Sequence, residues 1–134
     1  DYELLQRREV IGLNYRSLRA ASYFAQLLVR NAAHMPESDL LFDLTARTLD
    51  AFAEGKAPEV VLLKGTYLLL KDEGYPVSES WWPELPKDWR ELTKDLLKLP
   101  SPDKTDSKAR EHCEQIQHHL TRWMRSNTDL ILPE

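Results

Sequence analysis

The chain has 134 residues, with 18 basic and 22 acidic side chains, a net charge of −4 and a hydrophobic content of 42%. This length suits one domain with a single core, and a net acidic chain is a poor candidate for strong, autonomous DNA binding. The lone cysteine, Cys113, excludes an internal disulfide bond and a zinc finger built on a cysteine pair, and it fits the reducing cytoplasm.

Residues 1–14 precede the first clear helical pattern, and we interpret them as a linker or as the end of a preceding domain. Because the chain begins with aspartate instead of methionine, we expect it to be a segment of a longer protein. Residues 15–134 are predicted to form one helical domain. No apolar run approaches the ~20 residues that span a bilayer, so we predict no membrane association.

The first helix is predicted at 15–33, where small and apolar residues recur at three- and four-residue steps. The stripe expected to face the core consists of Leu18, Ala21, Ala25, Leu28 and Ala32, and Tyr23, Phe24 and Leu27 are expected to widen it. Because most side chains of the stripe itself are small, another helix could approach closely. The helix is expected to end at Met35 and Pro36, since proline disfavours helical backbone in the residue before it.

Ser38 is a favourable N-cap for the second predicted helix, which runs to about Glu54. Gly55 follows as the expected C-terminal glycine, and Pro58 suits the first position of the next helix. With so short a connection, the second and third helices are expected to be antiparallel neighbours. The stripe expected to face the core consists of Leu41, Leu44, Thr48 and Phe52.

The third predicted helix, 58–73, is apolar on nearly all sides, which is typical of a helix buried by its neighbours. Gly65 in its middle costs about 1 kcal/mol relative to alanine. We attribute this glycine to close packing against another helix, and the small residues of the first helix are the expected neighbours. Gly74 is predicted to end the helix.

Residues 75–86 form a predicted loop, punctuated by prolines. A fourth helix is predicted at 89–99, where Asp88 and Glu91 have the spacing of a capping box. The last helix is predicted at 106–126. Its apolar stripe consists of Ala109, Cys113, Ile116, Leu120 and Trp123. Together these elements predict an all-α, single-domain bundle of about five helices.

The last helix contains the one group of residues in which a metal site could be considered. The group consists of His112, Cys113, His118 and His119. No two of these histidines have the four-residue step that puts two imidazoles on one side of a helix. Cys113 lies on the apolar stripe, so we interpret it as a small core residue and not as a nucleophile. We therefore predict no metal site, no cofactor and no enzymatic activity.

Trp81 and Trp82 leave two alternatives open. Exposed aromatic side chains can stack on the bases of a single strand or dock on a partner protein. The neighbouring Glu79 and Glu84 repel a phosphate chain, so docking of a protein partner is favoured over base stacking. The interpretation that we favour over docking is that at least one of the two tryptophans fills the end of the bundle.

Basic residues concentrate towards the two ends of the chain. Residues 1–34 hold five basic and three acidic residues, 104–125 also hold five and three, and 35–103 hold eight and fourteen. If the first and last helices pack together, they form a modest basic face that suits phosphates or an acidic peptide. The candidate contacts are Arg16, Arg19, Arg122 and Arg125, with ordinary solubilising charge as the alternative.

Three segments in order carry a resemblance to a known family. Residues 20–28 (AASYFAQLL) resemble the first conserved helix of the RecO recombination-mediator family, and the leucine-rich segment after Pro36 resembles the helix that follows it. A third helix then ends in a corner formed by Gly74, Tyr75 and Pro76. The chain is thus similar to the helical region of RecO proteins. It lacks their OB-fold, and it has VSESWW where their zinc module has its first cysteines.

The resemblance implies a role in DNA repair and recombination. RecO proteins bind and anneal single-stranded DNA coated by single-strand-binding protein, and they act with RecR to load the recombinase. The implied partners are therefore single-stranded DNA, RecR and the acidic, apolar tail of single-strand-binding protein. The implied location is the cytoplasm, in association with the nucleoid. No membrane or small-molecule substrate is implied.

A different class of function stays open beside this one. The apolar third helix and the aromatic loop are also typical of a generic helical protein-interaction or dimerisation domain that has no connection with DNA. Sedimentation would separate the two, because a clean monomer disfavours a dimerising scaffold.

Overall fold

The computed structural model describes residues 15–36 and 38–133. Within these ranges the secondary structure is helical, without strands, and it comprises five α-helices. They are α1 (Tyr15–Asn31), α2 (Asp39–Ala53), α3 (Pro58–Asp72), α4 (Lys87–Lys98) and α5 (Ser107–Asn127). The predicted all-α bundle of about five helices is confirmed. The linker predicted at 1–14 lies outside the described residues.

Helix α3 lies at the centre of the bundle and packs against each of the other four helices. Its apolar side chains are buried on several sides, as the sequence predicts. The aliphatic ones with at most 3% exposure are Val60, Val61, Leu63, Leu69 and Leu70. Burial of one such side chain contributes about 1.5–3 kcal/mol, so α3 is the main source of hydrophobic stabilisation.

Glycines and capping side chains determine where α2 and α3 end and where α2 and α5 begin. Gly55 and Gly74 have φ angles of 80° and 83°, which a residue without a Cβ adopts at little cost. Each closes its helix with the paired backbone hydrogen bonds of a Schellman motif. The Ser38 side chain accepts a hydrogen bond from the Leu41 amide, and Asp106 does the same for Ala109.

The centre of the core-facing stripe predicted for α1 was wrong by one residue, whereas Phe24 and Leu27, which were expected to widen that face, are buried. Leu18 is 62% exposed, and the buried face carries Ser17, Phe24, Leu27 and Asn31. The register shift rotates the helix by about 100°. Phe24 and Leu27 remove more apolar area from water than the alanines of the predicted stripe, so their face turns inward. Ser17 and Asn31 on that face are polar, so the sequence does not show an apolar periodicity there.

The capping box predicted at Asp88 was also wrong. Helix α4 begins at Lys87, and Pro86 occupies the N-cap position without a side-chain hydrogen bond. The Pro86 carbonyl accepts the first helical hydrogen bond from the Arg90 amide at 2.9 Å. Proline is suited to this boundary because its own nitrogen has no hydrogen to leave unpaired. Asp88 lies inside the first turn, where its charge still favours the helix dipole.

Gly65 allows α2 and α3 to approach closely. A Cβ at this position would lie 2.8 Å from Thr48 Cγ2 and 3.3 Å from a ring carbon of Phe24. The predicted close packing is confirmed, but the nearest neighbour is Thr48 of α2 instead of the small residues of α1.

Replacing Gly65 by alanine is expected to lower the free energy of unfolding by about 1 kcal/mol. The gain in helix propensity is about 1 kcal/mol, whereas overpacking costs about 1–3 kcal/mol. Thr48 is β-branched and short, so its methyl group cannot move aside at little cost. Urea unfolding measures the change.

The double variant with Gly65→Ala and Thr48→Ala should be more stable than the sum of the two single effects predicts, because Thr48→Ala removes the clashing methyl group. Additive effects, or a stabilising Gly65→Ala substitution on its own, would contradict close packing as the reason for the glycine.

After α5 the chain turns back along α1 as an extended tail, 128–133. These residues are neither helix nor strand. The Asn31 side-chain amide holds the tail through two hydrogen bonds. Its Nδ2 donates to the Ile131 carbonyl at 2.8 Å, and its Oδ1 accepts from the Ile131 amide at 2.7 Å. Further on, Pro133 reaches Leu18 and Tyr23 of α1. The tail therefore packs along α1.

Candidate functional site

The four candidate arginines lie on exposed parts of α1 and α5. Arg19 and Arg125 border neighbouring hollows that share Tyr23 and Pro133, so the fold brings these two charges to the same part of the surface. Arg122 lines neither of these hollows. Helices α1 and α5 make little direct contact with each other, and a joint basic face on them stays a prediction.

Arg16 and Arg19 have different surroundings. Arg16 Nη1 lies 3.5 Å from Oε2 of Glu59, a carboxylate whose side chain is 6% exposed. The Arg19 guanidinium lies over the ring of Tyr15, 6.0 Å from its centre. Arg16 is therefore partly neutralised, whereas Arg19 keeps its charge available for an anion.

An open groove with a volume of about 580 Å³ lies between α2 and α3, and it was not predicted from the sequence. We call it the α2–α3 groove. Its apolar surface is provided by Leu40, Leu44, Ala51, Val61 and Leu68. Leu40 and Leu68 are exposed to solvent although they are large and apolar. An exposed apolar strip of this kind marks a candidate surface for a partner.

Three cations and two acids surround the α2–α3 groove. They are Arg47, Lys64, Lys71, Asp43 and Asp72. Arg47 Nη2 lies 2.7 Å from Asp43 Oδ2 one turn away, and Lys64 donates to the Leu99 carbonyl at 2.8 Å. Lys71 is exposed and forms no ion pair with another described residue. The rim is thus net positive on a net acidic chain.

The sequence does contain a weak signal for this groove. Lys64, Leu68 and Lys71 recur at steps of four and three residues, which puts them on one face of α3. The corresponding strip on α2 is made by Leu40, Asp43 and Arg47. Neither strip is distinctive alone, because a mixed charged face is the ordinary exterior of a helix. Only the packing of the two helices joins them.

The two adjacent tryptophans have different roles. Trp81, at the end of a π-helical turn (Val77–Trp81), is fully buried, and its indole N–H donates to His119 Nδ1 at 3.0 Å. It fills the core between that turn and α5, so it is not available to a partner. Trp82 is half-buried, and the Arg90 guanidinium lies 5.7 Å from the centre of its ring. Of the two, only Trp82 presents surface for docking.

The cysteine and histidines of α5 are separated in space by their helical positions. Cys113 is 1% exposed, and burial, with the negative charges of Glu59 and Glu114, raises the pKa of its thiol to about 11. The thiol is therefore protonated at neutral pH and is a poor nucleophile. Among residues 15–36 and 38–133, no three histidine, cysteine or acidic side chains come together as metal ligands would.

A second apolar surface lies where the end of α1 meets the start of α2, beside a hollow of about 760 Å³. Phe42 is 77% exposed there. It borders this hollow, whose apolar wall is provided by Leu28, Met35 and Leu41. We call this surface the Phe42 patch. A ring exposed beside an apolar hollow is suited to contact with another protein.

Comparison of the chain with protein-family models, with curated proteins and with solved structures gives no match. No helix within the described part of the chain is both long enough and apolar enough to cross a membrane.

Proposed function

We propose that this chain is the helical domain of a RecO-like recombination mediator, which acts in DNA repair and recombination. In this proposal it contacts single-stranded DNA, RecR and the acidic, apolar tail of single-strand-binding protein, in the cytoplasm and at the nucleoid. The resemblance supports it through three segments in order on α1, α2 and the end of α3, which are consecutive helices packed on one another.

The observation that carries the proposal is the composition of the α2–α3 groove. A peptide tail that is both acidic and apolar needs an apolar floor for its side chains and cations for its carboxylates. The groove offers Leu44 and Val61 for the first requirement, and Arg47 and Lys71 for the second. Its open shape suits an extended segment better than a compact ligand.

The arginines on α1 and α5 support the DNA part of the proposal. Arg19 and Arg125 lie near one another through their shared contact with the region of Tyr23 and Pro133. Arg16 and Arg122 extend the charge along the two helices. Because the whole chain is net acidic, the expected DNA affinity is weak and strongly dependent on salt.

A variant with Arg47→Ala and Lys71→Ala is expected to bind a fluorescent acidic, apolar peptide at least about tenfold more weakly, because each lost cation removes a charge-assisted hydrogen bond. Lys64 is left in place because it holds the Leu99 carbonyl. Fluorescence anisotropy at low salt measures the affinity. Lys94→Ala, at an exposed position of α4 outside the groove, is the matched control and should leave binding unchanged.

Fluorescence anisotropy with a labelled single-stranded oligonucleotide in place of the peptide tests the DNA contact. The oligonucleotide is titrated with the parent chain and with alanine variants of the four candidate arginines. Absence of binding to both the peptide and the oligonucleotide at low salt would defeat the proposal. Peptide binding that is indifferent to the groove cations would contradict the assigned site.

The Phe42 patch favours a second candidate function, a protein-interaction or dimerisation domain unrelated to DNA. It combines a protruding ring and a hollow on one surface, so two copies related by a two-fold axis could each insert Phe42 into the other. Sedimentation of the parent chain and of Phe42→Ser discriminates. A dimer that the substitution dissociates supports this alternative, and a monomer at all concentrations disfavours it.

A further inference from the structure

Helix α1 holds the tail, 128–133, by its backbone. Asn31 accepts a hydrogen bond from the Ile131 amide at 2.7 Å and donates one to the Ile131 carbonyl at 2.8 Å. The Asn31 side chain is itself fixed in orientation, because the residue is 1% exposed and also donates to the Leu27 carbonyl. Main-chain hydrogen bonds of this kind provide affinity for an extended peptide, while pockets for alternate side chains provide specificity.

The side chains of the tail alternate between the protein and the solvent. Leu130 and Leu132 are half-buried and pack against the core, whereas Asp129 and Ile131 are exposed. Such alternation is typical of an extended segment with one face on a surface. The surface therefore selects aliphatic side chains at two alternate positions and leaves the position between them free to vary.

Two arginines border the place that Pro133 occupies. Pro133 is buried, and it lines the hollow that contains Arg19 as well as the hollow that contains Arg125. Both arginines are exposed, and neither forms an ion pair with another described residue. Guanidinium groups bind carboxylates through charge-assisted hydrogen bonds. The surface is thus suited to an acid after the proline, and the next residue of the chain's own sequence is Glu134.

Few contacts hold the tail in place. Among the described residues, hydrogen bonds between 129–133 and the helices are made only through Ile131, which is 49% exposed. The Leu130 amide bonds only the Thr128 hydroxyl, two residues before it. A segment held by few hydrogen bonds and partly open to water opens at a lower free energy than the rest of a domain. We therefore expect the tail to leave α1 while the helices stay packed.

We propose that this surface binds an extended segment of a partner protein, and that the chain's own tail occupies it as a competitor. We call the surface the tail site (Arg19, Tyr23 and Asn31 on α1, with Arg125 on α5). The segment that fits has aliphatic side chains at two alternate positions, followed by a proline and an acid. The proposal goes beyond the proposed function and does not depend on it, since the tail site and the α2–α3 groove share no residue.

Titration of the isotope-labelled full chain with an unlabelled peptide of residues 128–134, followed by amide NMR, tests the site. The peptide is expected to displace the tail, so that the Ile131 amide signal shifts saturably at about millimolar peptide, the effective concentration of a tethered competitor. A control peptide with a methyl group on the isoleucine nitrogen lacks the hydrogen that Asn31 accepts. It should bind at least about tenfold more weakly. Equal binding of the two peptides, or an Ile131 signal that does not respond, overturns the proposal.

Leu132→Ser in the full chain weakens the competitor without changing the tail site. The parent-sequence peptide should bind this variant about tenfold more tightly than it binds the parent chain, because the loss of apolar burial releases the tail. A tail with a structural role alone gives no such gain. Lys94→Ala, at an exposed position of α4, is the control and should keep the parent affinity.

The NMR titration of the parent chain decides the matter if Leu132→Ser fails to fold, and it also separates the two peptide sites. Shifts confined to the amides of Thr48 and Gly65 place the peptide in the α2–α3 groove. That result supports the proposed function and contradicts the tail site. Shifts at Asn31 and Ile131 without a response in the groove support the tail site alone.

Discussion

Replacing Trp81 by alanine is expected to lower the free energy of unfolding by about 3–5 kcal/mol, the largest effect of any single substitution considered. The side chain is fully buried, and its ring centre lies 6.2 Å from that of Tyr67 in a tilted arrangement. Truncation leaves a cavity and removes the hydrogen bond to His119. Urea unfolding followed by circular dichroism measures the loss.

Trp82 is the matched control for this experiment, because it is the next residue and the same amino acid. Its ring is half-buried and its main polar contact is with Arg90. Trp82→Ala is expected to cost about 1–2 kcal/mol. If the two substitutions cost the same, the assignment of Trp81 to the core and Trp82 to the surface is wrong.

The second large effect is expected at Asn31. Its amide bonds the Ile131 amide and carbonyl, and also the Leu27 carbonyl at 2.8 Å. Asn31→Leu keeps a similar volume but leaves the backbone groups of Ile131 without these partners, at a cost of about 2–4 kcal/mol. Hydrogen exchange provides a local measurement, since the Ile131 amide should lose its protection while amides in α3 keep theirs.

Asn127 offers a control of the same chemistry. It lies at the exposed end of α5, and its side chain donates only to the Trp123 carbonyl at 2.9 Å. Asn127→Leu is expected to change stability by at most about 0.5 kcal/mol. An Ile131 amide that stays protected in Asn31→Leu would show that the tail is held by other contacts, such as those of Leu130 and Leu132.

Elements whose ends depend on local chemistry were predictable from the sequence. Gly55 and Gly74 need a positive φ, Pro58 lacks an amide hydrogen, and Ser38 carries the oxygen that caps α2. Each of these constraints acts within four residues, so the identity of a single side chain is enough to indicate it. The fold class follows from them, because they delimit helices that alternate with short connections.

Features that depend on tertiary packing were not predictable in the same way. The rotation of α1 is decided by how Phe24 and Leu27 compete with several alanines for the core, and Asn31 faces inward only because Ile131 meets it there. The start of α4 was also not predictable from residue spacing. Asp88 has the right spacing for a cap, but Pro86 supplies a better boundary.

The candidate sites also differ in whether the sequence alone could predict them. Charge along the chain indicated Arg19 and Arg125, and the fold brings them to one region. The α2–α3 groove combines two short, ordinary patterns, one from each of two consecutive helices, and only the packing of these helices joins them.

The hydrogen bonds between Asn31 and Ile131 have a consequence for the nascent protein. The two residues are separated by 100 positions, and a ribosome needs roughly 5–20 seconds to add that many at about 5–20 residues per second. Over that interval α1 has been synthesised, while the segment that covers one of its sides has not. Completion of the bundle must therefore follow translation of residue 131.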